Sequence, residues 1–198
     1  MAIFQGTDLN DTLRGGPEND ELFGYRGDDT LVGNGGDDKL FGGEEADQLQ
    51  GGDGLDELFG EAGDDTLNGG ADTDRLFGSE GNDRLAGESG ADELLGEAGN
   101  DTLSGGTEND TLYGGTGDDT LAGDADDDQL YGEANNDSLA GGAGADVLRG
   151  GDDSDQLNGG EANDQLYGEN GNDSLTGDAG ADQLFGGGCQ RQFAGRCG

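Results

Sequence analysis

The sequence has no histidine, no tryptophan, one proline and only two cysteines, Cys189 and Cys197, both within its last ten residues. Without histidine, its serine and cysteine side chains have no candidate base in the repeat pattern, so we do not expect an enzyme. Zinc sites need histidine or clustered cysteine and are not expected either. The body of the fold must form without disulfides, and whether the two cysteines pair stays open.

Basic residues and long apolar runs are also scarce. The chain has 8 Lys and Arg against 47 Asp and Glu, which gives a formal net charge of −39. Nucleic acid and anionic membrane surfaces would repel such a chain, and no stretch is long enough to span a membrane. With 46 glycines and 29% hydrophobic residues, a conventional core is excluded, and the composition alone is typical of disorder. Cations are the expected partners, and a coil is expected without them.

What the chain does have is a strict nine-residue period. Leucine recurs every nine residues from Leu13 to Leu184, in twenty positions. Aspartate stands two residues before each of these leucines and glycine two residues after each. Phe4 and Phe193 extend the leucine column by one unit at either end and are predicted to be end caps. Three such columns indicate that each unit is one structural turn of a solenoid.

Each unit is predicted to contain a short strand and a glycine turn. The segment Asp101–Ser104 has one apolar residue between outward-pointing neighbours, which is typical of a minimal strand. The segment Gly114–Asp118 is rich in the glycine that a turn with positive φ angles requires. A strand followed by a turn, repeated, winds a coil.

The residue after leucine reveals a second period of eighteen. On alternate units this column is aromatic or leucine, with the exception of Arg149: Phe23, Phe41, Phe59, Phe77, Leu95, Tyr113, Tyr131, Tyr167 and Phe185. One full coil therefore contains two units, which belong to two chemically different sheets. We predict an all-β fold, a right-handed parallel β-roll solenoid with two short strands per 18-residue coil and about ten coils, roughly 50 Å long. Residues 1–10 would form an N-terminal cap, residues 11–187 the roll, and residues 188–198 a C-terminal cap or tail.

Stacking would align the aspartates of alternate units along the two edges of the roll. Carboxylates one strand separation apart repel each other by about 1 kcal/mol per neighbour even in water, so the rows need cations. Ca²⁺ takes six to eight oxygens in a flexible geometry, whereas Mg²⁺ prefers a tight octahedron with retained waters. Since glycine turns expose backbone carbonyls, the pattern favours calcium.

The unit resembles the Gly-Gly-x-Gly-x-Asp-x-Leu-x nonapeptide of the RTX (repeat-in-toxin) calcium-binding family, and the match runs from about Gly6 to Gly187. The resemblance implies a parallel β-roll with Ca²⁺ between successive turns, and makes the repeat aspartates and the turn carbonyls its ligands. The aspartates that match are Asp11, Asp20, Asp29, Asp38, Asp47, Asp56, Asp65, Asp74, Asp83, Asp92, Asp101, Asp110, Asp119, Asp128, Asp137, Asp146, Asp155, Asp164, Asp173 and Asp182.

The turns depart from the family pattern in many units. Only those that begin at Gly51, Gly114 and Gly141 keep all three glycines. Acidic residues replace the second or third glycine at Glu18, Glu45, Glu61, Asp72, Glu97, Glu108 and Asp126. These side chains would either weaken calcium binding or add ligands, and both alternatives stay open.

Site counting agrees with a calcium-loaded roll. Ten aspartates per edge leave nine gaps, so two edges offer up to about 18 Ca²⁺ sites, and about +36 of ion charge would oppose the −39 of the chain. The resemblance implies a secreted, extracellular protein exported by type I machinery. No convincing export signal follows Gly186, and Arg191 stands where the next unit would have its aspartate. The expected role is structural or linked to folding on secretion.

A binding module that uses one sheet face is the alternative function. The aromatic column is predicted to be a stacked ladder that stabilises its sheet, or a face for self-association or sugar rings, with a weak homodimer through that face. The other sheet carries a hydroxyl row that would suit ice binding, although Gln48, Arg84 and Gln156 interrupt it. The row comprises Thr12, Thr30, Thr66, Thr102, Thr120, Ser138 and Ser174.

Overall fold

The computed structural model describes residues 1–187 and, for the backbone alone, residues 192–196. The described chain forms two parallel sheets of eleven strands and contains no helix. The first sheet consists of β1 Ile3–Gln5, β3 Glu21–Arg26, β5 Lys39–Glu44, β7 Glu57–Ala62, β9 Arg75–Glu80, β11 Glu93–Ala98, β13 Thr111–Thr116, β15 Gln129–Ala134, β17 Val147–Asp152, β19 Gln165–Asn170 and β21 Gln183–Phe185. The second consists of β2 Thr12–Arg14, β4 Thr30–Gly35, β6 Gln48–Asp53, β8 Thr66–Ala71, β10 Arg84–Ser89, β12 Thr102–Thr107, β14 Thr120–Ala125, β16 Ser138–Ala143, β18 Gln156–Glu161, β20 Ser174–Ala179 and β22 Gln192–Arg196.

Each strand pairs in parallel with the strand 18 residues away. Leu85 lies between Leu67 and Leu103 in the second sheet, and Leu94 lies between Leu76 and Leu112 in the first. Consecutive strands therefore alternate between the sheets, and two units complete one coil. The predicted all-β parallel solenoid of about ten coils is confirmed.

The core is a double row of leucines. The eighteen leucines from Leu22 to Leu175 are each at most 2% exposed, and they form one continuous cluster. Phe4, Leu13 and Leu184 are partly buried and pack against this cluster at its ends. Phe193 lies in β22, but its side chain is outside the described residues, as are Arg191, Cys189 and Cys197.

The strands are longer than the sequence analysis predicted. Strand β13 runs from Thr111 through Gly114 and Gly115 to Thr116, so the glycine pair that was assigned to the turn belongs to the strand. Along each full-length strand the leucine and the glycine two residues later are buried, as in β12 and β13. The glycine fills an inward position where a side chain would have no room, which explains its invariance.

The outer face of the first sheet carries the stacked aromatic column. Phe23, Phe41, Phe59 and Phe77 form a continuous stack with ring centroids 4.8–4.9 Å apart. Beside it, Glu57, Arg75 and Glu93 occupy the same register position on β7, β9 and β11, and Arg75 Nε lies 2.7 Å from Glu93 Oε2. No helix in the described part of the chain is long and apolar enough to cross a membrane.

Candidate metal sites

The repeat aspartates lie at the two edges of the roll, where the turns join the sheets. Those from Asp20 to Asp173 are buried, whereas Asp11 and Asp182 at the two ends are half-buried. Asp101, in the middle of one edge, is only 2% exposed. The structure therefore places the predicted ligands in two continuous rows, each spaced by one coil.

Each aspartate uses one carboxylate oxygen to connect two coils. The backbone N–H of Asp83 donates to Oδ1 of Asp101 at 2.7 Å, and the N–H of Asp101 donates to Oδ1 of Asp119 at 2.7 Å. The same contact repeats along both edges. This ladder fixes the side chain, so the second oxygen, Oδ2, has a defined position.

In most of the turns Oδ2 is buried and has no hydrogen-bond partner. Sixteen aspartates share this condition. They are Asp29, Asp38, Asp47, Asp56, Asp65, Asp74, Asp83, Asp92, Asp101, Asp110, Asp119, Asp128, Asp137, Asp146, Asp155 and Asp164. Because a buried polar atom without a partner carries a desolvation cost, a repeated row of such atoms indicates a missing ligand.

Burial also changes the acidity of these carboxyl groups. Burial raises the pKa of Asp74 to about 8 and that of Asp110 and Asp119 to about 7, while the N–H of the preceding aspartate in the row opposes the shift. Neighbouring carboxylates in the row raise these pKa values further. In the absence of a cation, the interior rows therefore resist ionisation near neutral pH.

Backbone carbonyls reach the same places. A Cβ atom at Gly81 would collide with the carbonyl oxygen of Gly63 and lie 3.2 Å from Oδ1 of Asp83. A Cβ atom at Gly96 would collide with Oδ2 of Asp101 and with the carbonyl oxygen of Gly114. Carboxylate and carbonyl oxygens thus lie close together at a turn glycine, Gly81, and at a strand glycine, Gly96, and this all-oxygen donor set fits Ca²⁺.

The carboxylates do not form conventional clusters. Within the described residues, no three carboxylate, thiol or imidazole groups converge on one point. A cation site at these edges must therefore combine aspartates of successive coils with turn carbonyls. This requirement explains why the sequence indicates the sites through its repeat period and not through a compact metal-binding motif.

The two turns nearest the N-terminus differ from the others. The N–H and Oγ1 of Thr7 donate to Oδ2 of Asp11 at 2.6 and 2.8 Å, and the N–H of Gly16 donates to Oδ2 of Asp20 at 2.9 Å. The hydrogen bond from Gly16 is the main cause of the lowered pKa of Asp20. These two carboxylates are satisfied by groups of the chain itself.

The degenerate turns keep the geometry that glycine would adopt. Glu45, Glu61, Asp72, Glu97, Glu108 and Asp126 all have φ between 73° and 77°. Glu18 is the exception among the substituted positions, since its backbone is not left-handed. The side chains at these positions replace glycine at the cost of backbone strain.

A second ladder, on the outside of the turns, was not predicted from the sequence. Asn or Asp stands directly before the repeat aspartate in thirteen of the twenty units. The N–H of Asn100 donates to Oδ1 of Asn82 at 3.0 Å, and the N–H of Asp118 donates to Oδ1 of Asn100 at 2.9 Å. These N–H groups donate to the preceding coil, whereas those of the buried ladder donate to the following coil. The column of Asn and Asp directly before the repeat aspartate is the sequence feature that indicates this second ladder.

Fold and site together define a class of protein, a parallel β-solenoid with cation sites in its turns. A family model described as the RTX calcium-binding nonapeptide repeat matches seven overlapping or adjoining segments, residues 5–40, 41–76, 69–103, 77–112, 104–139, 131–166 and 158–188. The chain therefore belongs to the family of RTX calcium-binding repeats. No curated protein sequence matches it.

Proposed function

We propose that this chain is a calcium-folded structural module, in which Ca²⁺ bridges successive coils through the repeat aspartates and the turn carbonyls. The observation that carries the proposal is the set of sixteen buried Oδ2 atoms that have no partner. A bound cation would satisfy these oxygens and reverse the repulsion along each row. Calcium would thereby supply the folding free energy that a core of two leucines per coil lacks.

The number of ions follows from the same atoms. The unpartnered carboxylates form two rows of eight, which leave about fourteen gaps, and the ends of the rows raise the upper limit to about 18. Asp29 to Asp164 are the proposed ligands with the strongest support. Asp173 and Asp182 extend the rows, so we retain them as ligands, with residues 188–198 as the C-terminal cap or tail.

Circular dichroism with added Ca²⁺ and with EGTA tests this function. We expect a coil spectrum in EGTA at low ionic strength and a cooperative change to a β-sheet spectrum with Ca²⁺. Mg²⁺ at the same concentration should be much less effective, because it retains its waters in a tight octahedron. A compact β-rich protein in excess EGTA would contradict the proposal.

The setting we propose is extracellular, where millimolar calcium would trigger folding after export. In that setting the module would stay unfolded wherever free calcium is scarce. Pulse-labelled secretion of the chain in a host with type I machinery, compared with retention in a host without it, tests the export part separately. Folding on calcium does not depend on that result.

A second candidate function uses the aromatic column as a surface for self-association. The stack from Phe23 to Phe77 is half-buried, so ring surface stays accessible on the outer face of the first sheet. Calcium would remove the repulsion between two copies of a chain with a charge of −39. Sedimentation of the calcium-loaded chain at millimolar concentration tests this, and a strictly monomeric protein would leave the structural function alone.

A further inference from the structure

The aromatic column of the first sheet is interrupted at two described positions. Rings stack from Phe23 to Phe77, between Tyr113 and Tyr131, and between Tyr167 and Phe185, with centroid separations of 4.8–4.9 Å. Leu95 stands between the first and second stacks, and Arg149 stands between the second and third. Each interruption removes one ring from an otherwise regular series of planar groups.

At the second interruption, the chain itself replaces the missing ring with a planar cation. The guanidinium carbon of Arg149 lies 4.4 Å from the centroid of Tyr167, close to the spacing of the stacked rings. Nη1 of Arg149 lies 3.2 Å from Oε1 of Glu169. An aromatic face and a glutamate two residues beyond the column position therefore hold a guanidinium at this place.

The first interruption also has an aromatic ring on the following coil, Tyr113, but no planar cation of its own at the column position. The shorter side chain of Leu95 leaves a cavity of about 320 Å³, lined by Glu93, Leu95, Glu97, Tyr113, Gly115 and Glu133. Glu97 and Glu133 occupy the coils before and after Gly115, at the same register. Gly115 has no side chain to fill the space between them.

Charge and shape at this cavity both favour a cation. Glu93 is paired with Arg75, whereas no ion pair involves Glu97 or Glu133 among the described residues. Glu133 also lines the cavity that contains Arg149 and Glu169, so one carboxylate borders both interruptions. At the first interruption, Gly115 stands at the position that corresponds to Glu169, so the carboxylates come from the coils on either side of it.

We propose that the cavity beside Leu95 and Tyr113 binds an arginine side chain from a basic segment of another protein. The guanidinium would stand against the exposed part of the Tyr113 ring, as Arg149 stands against Tyr167, and would pair with Glu97 and Glu133. A lysine ammonium has the charge but no plane to stack, so it should bind less well. The inference rests on the proposed function in one respect, since the cavity belongs to the folded roll and calcium is proposed to hold that roll together.

Titration of the calcium-loaded chain with N-acetylarginine amide, followed by NMR in 0.15 M salt, tests the site. We expect saturable shifts centred on the Gly115 amide and the Tyr113 ring, and weaker binding of N-acetyllysine amide. Tyr113→Thr should weaken binding about fivefold, and the double variant Glu97→Gln, Glu133→Gln by at least about as much. Phe59→Thr is the matched control, since it lies in the same column outside the cavity and should change nothing.

A gain of function provides the sharper test. Arg149→Gln removes the guanidinium from the second interruption, so a second set of saturable shifts should appear at Gly151 and Tyr167. Shifts that spread evenly over the acidic turns, or that ignore all four substitutions, would overturn the proposal in favour of unspecific ionic attraction. The far-UV spectrum is read first: a chain that fails to fold with Ca²⁺ contradicts the proposed function, whereas a folded chain without localised shifts contradicts this site.

Discussion

The first two turns of the roll and the turns that follow treat the same carboxylate differently. Thr7 and Gly16 stand three residues after the core column and donate their N–H groups to Oδ2 of Asp11 and Asp20. At the corresponding position every residue from Tyr25 to Asp178 has a positive φ, and from Asp29 to Asp164 the Oδ2 of the following aspartate has no donor. Turns with a left-handed residue at this position therefore lack the hydrogen bond to Oδ2 that the first two turns have.

The difference shows that groups of the chain itself can satisfy Oδ2 of a turn aspartate, as they do at Asp11 and Asp20. In the interior turns from Asp29 to Asp164, Oδ2 is buried and has no such donor, so the proposed function places the calcium ions there. The proposed function therefore assigns the calcium requirement to the interior turns and not to the acidic composition as a whole.

Among the changes considered, acidification of the calcium-free chain should have the largest effect on the stability of the fold. Burial raises the pKa of Asp56 to about 6 and that of Asp74 to about 8 in the folded chain, against an ordinary value of 3.8. Between about pH 4 and pH 7 the folded chain therefore binds more protons than the unfolded chain, and its stability falls as the pH rises. We expect more β structure at pH 4.5 than at pH 8 in calcium-free samples.

The same series in Ca²⁺ provides the control. Protons and calcium compete for the same oxygens, so calcium affinity should fall on acidification while the calcium-free roll gains stability. Carboxyl ¹³C shifts should show Asp20 titrating below the interior aspartates, since its pKa is lowered. If Asp20 and the interior aspartates had the same pKa, the distinction between the two kinds of turn would be wrong.

Replacement of one interior aspartate, a proposed calcium ligand, should have the next largest effect on stability. Asp101→Ala removes the acceptor of the Asp83 N–H and one ligand from the ions on either side, so we expect a loss of roughly 2–4 kcal/mol in Ca²⁺. Asp11→Ala removes a carboxylate that Thr7 already satisfies and should cost clearly less. Thermal unfolding in saturating Ca²⁺ measures both, and equal costs would count against the ligand assignment.

Much of this arrangement could be predicted from the sequence, because the columns are strict. The leucine, aspartate and glycine columns determine which residues stack on which, and they led directly to the paired rows of carboxylates. The backbone rotation at Thr7 and Gly16 was not predictable, since both residues occupy the same column as Tyr25 and Asn34. Gly16 and Gly43 are the same residue type in this column, yet only Gly43 has a positive φ, so the residue type does not determine the conformation.

Loss of the aromatic stack should lower stability by a smaller amount. The triple variant Phe41→Thr, Phe59→Thr, Phe77→Thr removes three stacked contacts, each worth about 0.2–1 kcal/mol. The proposed calcium ligands lie in the turns and not on the sheet face that carries these rings. The triple variant should therefore bind the same number of calcium ions. Calorimetric titration with Ca²⁺ checks this, and a reduced stoichiometry would mean that the sheet face helps to form the sites.

The smallest expected effect concerns backbone strain in the interior turns. Asp72 has a φ of 74°, so Asp72→Gly should relieve strain and raise stability by about 1 kcal/mol. Glu18 occupies the same column in the first turns without a left-handed backbone, so Glu18→Gly should give no gain. Chemical unfolding in Ca²⁺ compares the two variants, and an equal response would show that the turns do not differ in conformation.

A crystal structure of the calcium-loaded chain, with anomalous scattering to locate the ions, tests the central claim most directly. The account predicts ions between successive coils along both edges, 2.3–2.6 Å from Oδ2 of interior aspartates such as Asp83 and Asp101. It predicts that Oδ2 of Asp11 and Asp20 keep the hydrogen bonds from Thr7 and Gly16 and bind no ion. Ions on the exposed outer carboxylates, with interior Oδ2 atoms still without a ligand, would contradict it.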